Sequence, residues 1–468
     1  MYRARLTRRS FVQRLSAANA ALLAGTTLLG DRALASPGRA RLSQADAPEI
    51  TIDDFTSADI DWQQAKGQEL IFGAAQHPWS TAITPLLPMF TELTGITVTP
   101  QVASETEFLT KLAVTLGGGS PTPDVFMMLA LGQYATAQWI EPLDEYLADT
   151  NLTDPTWFDS EDIFPASFGY PVFAADDRRY AMAITTEAMT PFMRKDLMDA
   201  QGLSAPETFE DLYNVAAALK TAELAGIAMR GKPTNDAVTA PGAGFIWSYG
   251  GQIIDEQDEI AFDGDAAIAG VEMYGKTLKD NGPAGVASYH WYEVLTDFIQ
   301  GKSAIGIDSS NMVLDIEDPE KSQVAGKVLY GTFPHHEDLP PRPYVSHWMF
   351  GMNAKSEHKE AAWLLMEFLT SKPGAILTAR NRAVPPRASA WADPVFVELF
   401  GEQAAEAAMA NIRAGDPTLV TRAIFHPQWP QIGDNLAVAF NQVITGSASA
   451  KDALTEAANK SREVLASS

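Results

Sequence analysis

Between residues 69 and 128 the chain alternates short apolar runs with amphipathic stretches, and that alternation confines it to α/β architecture. Glu69-Leu70-Ile71-Phe72-Gly73 reads as a strand. The segment after it puts Ile83, Leu86, Leu87, Phe90 and Leu93 on one helical face, and Gly95 stops it. Ile96-Thr97-Val98-Thr99 reads as a second strand, a helix carrying Phe108, Leu109, Leu112 and Leu116 ends at residues 117–119, and residues 124–128 form a third strand. Two βα units and a third strand begin a parallel sheet. Later segments continue the pattern. Thr208 caps a helix with Asp211 three residues on and Phe209, Leu212, Val215 and Leu219 inward. Residues 266–279 and 356–369 read as further helices, and residues 254–265 as a strand, an acidic turn and a strand.

The first 35 residues stand apart from this pattern. Arg3, Arg5, Arg8, Arg9 and Arg14 precede an uncharged run from residue 15 to 30, and Ala33 and Ala35 follow it. This is the layout of an export signal cleaved after Ala35, with Arg8-Arg9-Ser10-Phe11 resembling the twin-arginine type. A membrane span needs about 20 strongly apolar residues, and this run is shorter and broken by Ser16, Asn19, Gly25, Thr26 and Thr27. Residues 36–65 lack periodicity and read as a flexible leader. The sequence contains no cysteine, which excludes disulfides and lipid attachment through an N-terminal Cys. Residues 1–35 hold six arginines and one aspartate, so their removal takes the formal charge from −25 to −30. Such a chain is repelled by nucleic acid and by anionic lipid.

Eight segments, in order, resemble the extracellular solute-binding proteins of ABC importers, in the sugar-binding branch that includes maltose-binding protein. They are residues 90–98 (FTELTGITV), Pro123-Asp124-Val125, Arg194-Lys195-Asp196-Leu197 with Gly202-Leu203, residues 206–212 (PETFEDL), Trp247 to Gly251, Phe298 to Asp308, Ala361-Ala362-Trp363 with Ser371, and Val384 to Arg387. Residues 298–308, 318–322 and 325–328 are similar to the sorbitol- and mannitol-type members. Met193-Arg194 and Phe209 depart from the residues common there.

The resemblance implies the two-lobed periplasmic binding fold of type II, α/β, with ligand held between lobes that close by a hinge motion. Carried onto this chain, the hinge crossings fall near residues 183–187, 344–348 and 382–387. Lobe one is then 66–186 with 347–383, and lobe two 187–346 with 384–468. It also implies a periplasmic or extracellular monomer that needs no cofactor, takes a sugar or polyol, and hands it to permease subunits with their ATPase.

A polyhydroxylated ligand needs carboxylates, amides or Arg for its hydroxyls and flat aromatics for its C–H faces. In open parallel sheets these stand just past strand ends. His77 and Trp79 follow the first strand, Glu105 the second and Gln133 the third; Asp308 and Asn311 follow a strand of lobe two. Trp348 and Arg387 stand at crossings, and Glu187 matches a cleft glutamate of the family. Trp247 is the leading stacking platform. Each has a structural alternative: packing for Trp79, helix capping for Glu105, core burial for Trp247, an interlobe ion pair for Arg387. Trp291 fits core and site equally and is set aside.

The rival class is a secreted carbohydrate-active hydrolase with paired carboxylates. Against it, no Gly-x-Ser-x-Gly nucleophile motif occurs, and the Gly117–Gly119 run lacks the Lys and the preceding strand of a phosphate loop. His335-His336 in a proline-rich loop and the acidic turn at 255–265 make no metal template.

Overall fold

A computed structural model describes residues 47–467; the export-signal reading of residues 1–35 lies outside the described residues. The described strands are β1 (Glu69–Ala75), β2 (Thr97–Ala103), β3 (Val125–Met128), β4 (Val172–Phe173), β5 (Arg178–Arg179), β6 (Ala181–Ala183), β7 (Glu187–Arg194), β8 (Ala225–Ala228), β9 (Ser303–Ser309), β10 (Val328–Tyr330), β11 (Val345–Ser346) and β12 (Met349–Met352). One sheet runs β2-β1-β3-β12-β6, with β1 parallel to β2 and β3, and β12 antiparallel to β3 and β6. The other runs β10-β7-β9-β8, with β8 and β9 parallel, and β11 adds to β7. This mixed α/β arrangement is the type II periplasmic binding fold.

The chain passes between the sheets at residues 184–186, from β6 to β7, and again at residues 347–348, from β11 to β12. Farther on, helix Lys359–Thr370 is buried in the first body, while Phe396 and Phe400 pack with Phe192 and Phe298 of the second. The three passages lie side by side. Ile184 N–H donates to the Trp348 carbonyl at 2.8 Å, and Thr186 N–H to the Val384 carbonyl at 3.2 Å.

Local chemistry accounts for the element ends. Gly95 adopts φ 72° and closes helix Leu87–Thr94, a conformation that favours glycine. Pro85 and Pro88 divide the preceding helical stretch into Pro78–Ile83, a 3₁₀ turn and Leu87–Thr94. Thr208 and Asp211 exchange both bonds of a capping box at 3.0 and 3.2 Å ahead of helix Phe209–Leu219.

Two expectations are corrected. Residues 254–265 form one isolated bridge, Ile254 to Ile260, rather than two strands. The Asp255 carboxylate takes the N–H groups of Gln257 and Glu259, which diverts the backbone donors that a ladder would use. The chain from residue 47 is not a loose leader either. Phe55, on the short helix Ile52–Thr56, is fully buried and stacks on Phe368 at 4.4 Å, and Trp62 donates to the Phe55 carbonyl at 3.0 Å. Two aromatic rings give this segment enough apolar area to dock on the first body.

Glu367, on helix Lys359–Thr370, is fully buried, and neither carboxyl oxygen receives a hydrogen bond among the described residues. Burial raises its pKa well above the ordinary 4.5. A raised folded-state pKa gives stability that is present below pH 4.5 and lost as the pH rises, because only the unfolded chain ionises freely. Glu367→Met should therefore raise the unfolding temperature at pH 7, with a smaller gain at pH 4. Equal gains at both pH values in thermal unfolding would contradict a protonated, buried carboxyl.

Candidate functional site

A cavity of about 330 Å³ lies between the two bodies and is lined from both. Strand ends build it. Beyond β1, His77 caps helix Pro78–Ile83: Trp79 N–H donates to its Nδ1 at 3.1 Å, which leaves Nε2 as the protonated nitrogen. That nitrogen faces Glu187 Oε1 at 3.4 Å. Glu187 opens β7 directly after the first crossing, and its carboxylate also accepts from the Ser309 hydroxyl at 2.5 Å and Asn311 Nδ2 at 3.3 Å. Burial opposes its ionisation, but His77 and Ser309 outweigh burial and hold its pKa at about 2.

Beyond β2, Glu105 begins helix Glu105–Gly117 and is buried. Trp291 Nε1 donates to its Oε2 at 3.0 Å. The Glu105 N–H donates to the Tyr292 hydroxyl at 3.3 Å, and that hydroxyl donates to the Gln76 carbonyl at 3.0 Å. Trp291 and Tyr292 stand at the start of helix Trp291–Ile299, so this second-body helix docks on the ends of β1 and β2. Burial pushes the Glu105 pKa up, and His290 and Arg230 pull against that shift.

Beyond β8, Arg230 clamps Asp308 through Nε at 2.9 Å and Nη2 at 2.6 Å, and its Nη1 donates to the Asp236 carbonyl at 3.2 Å. The Asp236 carboxylate accepts from Thr106 Oγ1 at 2.5 Å and lies 3.4 Å from His290 Nε2. Burial again works against the charge, and the bonds from His290 and Thr106 prevail, holding Asp236 below the usual carboxylate range.

Glu105, Asp236 and His290 bring three ligand-type atoms within 4.8 Å of one another. They do not fit a metal site. Trp291 N–H donates to His290 Nδ1 at 2.9 Å, so Nε2 carries the hydrogen and offers no lone pair.

Six residues expected from the sequence line the cavity: His77, Glu105, Gln133, Glu187, Asn311 and Trp348. Four do not. Trp79 lies in the core of the first body, edge-on to Phe72 at 6.0 Å and against Phe350 at 5.5 Å. Trp247 is buried in helix Thr239–Ser248 and stacks at 6.0 Å behind Tyr344, which presents its own surface to the cavity. Asp308 is fully buried behind Arg230. Arg387 donates to the carbonyls of Phe158, Asp159 and Thr370 and to Asp162, binding the segment at residues 384–387 to the first body rather than facing the cavity.

Sequence reasoning missed Arg230, Asp236, Tyr344, Trp429 and the cavity role of Trp291. Arg230 stands two residues past β8, so the strand-end rule would have found it had the weak run Ala225-Gly226-Ile227-Ala228 been read as a strand.

The family model for bacterial extracellular solute-binding proteins matches residues 69–376. The chain belongs to that family. Two relatives of this solute-binding protein are the erythritol/L-threitol-binding protein of Mycolicibacterium smegmatis and the mannitol-binding protein of Pseudomonas aeruginosa. The first is 27% identical over 361 residues, 73% of each chain. The second is 26% identical over 354 residues, covering 71% of this chain and 78% of that protein. A solute-binding protein of Agrobacterium radiobacter K84, solved with ribitol, superposes with a TM-score of 0.79 at 25% identity, over 86% of this chain and 99% of that one. Among the described residues no helix is long and apolar enough to cross a membrane.

Proposed function

We propose that this solute-binding protein is the receptor of an ABC importer for a linear sugar alcohol. The observation that carries the reading is a cavity between the two bodies in which the carboxylates of Glu105, Glu187 and Asp236 stand beside Trp291, Trp348 and Tyr344. Carboxylates accept the hydroxyls of a polyol, and the rings cover its C–H faces. A volume of about 330 Å³ is at the small end of the roughly 300–1,000 Å³ typical of small-molecule sites, which favours a short polyol over an oligosaccharide. Relatives named for erythritol, threitol and mannitol, and a structural neighbour holding ribitol, support the same class.

On this reading His77, Glu105, Gln133, Glu187, Asn311 and Trp348, together with Arg230 and Asp236, hold the ligand. Lobe one is 66–186 with 347–383, and lobe two 187–346 with 384–468. A twin-arginine signal exports the chain, cleavage near Ala35 releases a monomer, and the closed lobes dock on permease subunits coupled to an ATPase. A binding role, rather than that of a secreted hydrolase, is supported by the family match and by relatives named for binding.

Thermal unfolding of residues 36–468 with erythritol, ribitol, D-mannitol, glucose and maltose tests it. A saturable rise with a polyol is expected, worth about 2.7 kcal/mol at 100 times the dissociation constant. A shift with maltose alone, or breakdown of any compound, would contradict the proposal.

A further inference from the structure

The residues lining the cavity include five carboxylates, of Glu105, Glu187, Asp236, Asp315 and Asp434, but one guanidinium, Arg230, and no lysine. The Arg230 charge is already matched by the bidentate Asp308 behind it. Asp315 has a partner at the rim, Lys321 at 2.6 Å. Asn311 lines the same cavity with its Oδ1 unpartnered and only 3% of its surface exposed. That atom accepts a hydrogen bond and calls for a donor on the ligand.

We infer that the site selects by charge: it takes an uncharged polyol or its terminal amine and rejects the corresponding carboxylate or phosphate ester, with the Arg230–Asp308 pair setting this selectivity. The inference rests on the polyol reading of the same cavity. A polyol hydroxyl donates to Asn311 Oδ1, Glu187 or Glu105, whereas a carboxylate brings a like charge beside Glu187 and Asp236, and the one guanidinium lining the cavity is already paired with Asp308. Arg230 keeps two of its five N–H groups free of the three bonds described, so it still serves a hydroxyl oxygen. Asp308 cancels the net charge that an anion would need.

The test compares dissociation constants, by calorimetric titration of residues 36–468, for ribitol and D-mannitol, their terminal carboxylates ribonate and mannonate, and their 1-amino-1-deoxy derivatives. The better polyol is expected to bind at least about 100-fold more tightly than its carboxylate, with the amine equal to it or tighter. Asp308→Asn leaves Arg230 uncompensated and should narrow the gap between polyol and carboxylate at least about tenfold. Asp236→Asn, which removes a cavity charge without breaking the Arg230 clamp, should narrow it as well and serves if Asp308→Asn does not fold. A carboxylate binding within tenfold of its polyol overturns the charge rule while leaving the polyol reading intact. An unchanged gap in the folded variants overturns the role given to these residues. No binding by any of the six compounds removes the polyol reading, and this inference with it.

Discussion

Glu187→Ala should weaken polyol binding about 100-fold, equivalent to roughly 3 kcal/mol. Three groups from two parts of the chain converge on this carboxylate: His77 after β1, and Ser309 and Asn311 at and just past the end of β9. Truncation removes a hydroxyl acceptor and also leaves those donors aimed at an empty space, so the cavity loses its arrangement as well as one contact. The carboxyl is depressed from 4.5 to about 2. Its contribution to stability is therefore present above pH 4.5 and is lost as the pH falls towards 2. The affinity loss should accordingly be the same at pH 5 and pH 8, measured by titration calorimetry. An affinity within threefold of the unaltered protein would remove Glu187 from the site.

Asp308→Ala should lower stability by about 3–5 kcal/mol, the usual cost of leaving one member of a buried ion pair alone. Arg230 is buried, and its partner is fully so. The backbone that carries Arg230 is fixed as well, where the Tyr274 hydroxyl donates to the Arg230 carbonyl at 2.5 Å. Without Asp308 the positive charge loses both parallel hydrogen bonds and keeps the Asp236 carbonyl. Replacing the pair together, as Arg230→Met with Asp308→Leu, should recover much of the stability and none of the binding. Denaturant unfolding of the single and double variants distinguishes the two effects. A single-variant loss under about 1 kcal/mol would mean that the pair is not desolvated.

The sequence carried the fold well where periodicity and capping agreed. Thr208 with Asp211, and the left-handed Gly95, behave as their local chemistry demands. It carried the site by position along the chain and not by direction. His77 and Trp79 follow the same strand, but Pro78 starts a helix between them, so His77 turns to Glu187 while Trp79 turns into the core. Trp247 and Tyr344 form one stack, and the pattern gave no means of telling which ring faces the cavity. Arg387 and Asp308 were chosen for charge, yet both are satisfied by protein groups: carbonyls and Asp162 for the one, Arg230 for the other. Arg230 itself was missed because β8 holds a single β-branched residue, Ile227, too few to signal a strand. Phe55 and Trp62 show the converse error, since a segment without periodicity can still dock through two rings.

The most direct test of the receptor account is a calorimetric titration of residues 36–468 with ribitol and with D-mannitol, followed by recovery of the solute from the cell. The account predicts one saturable site per chain for at least one of them, with the compound returned chemically unchanged. Absence of saturable heat for both, or recovery of a converted product, would contradict it.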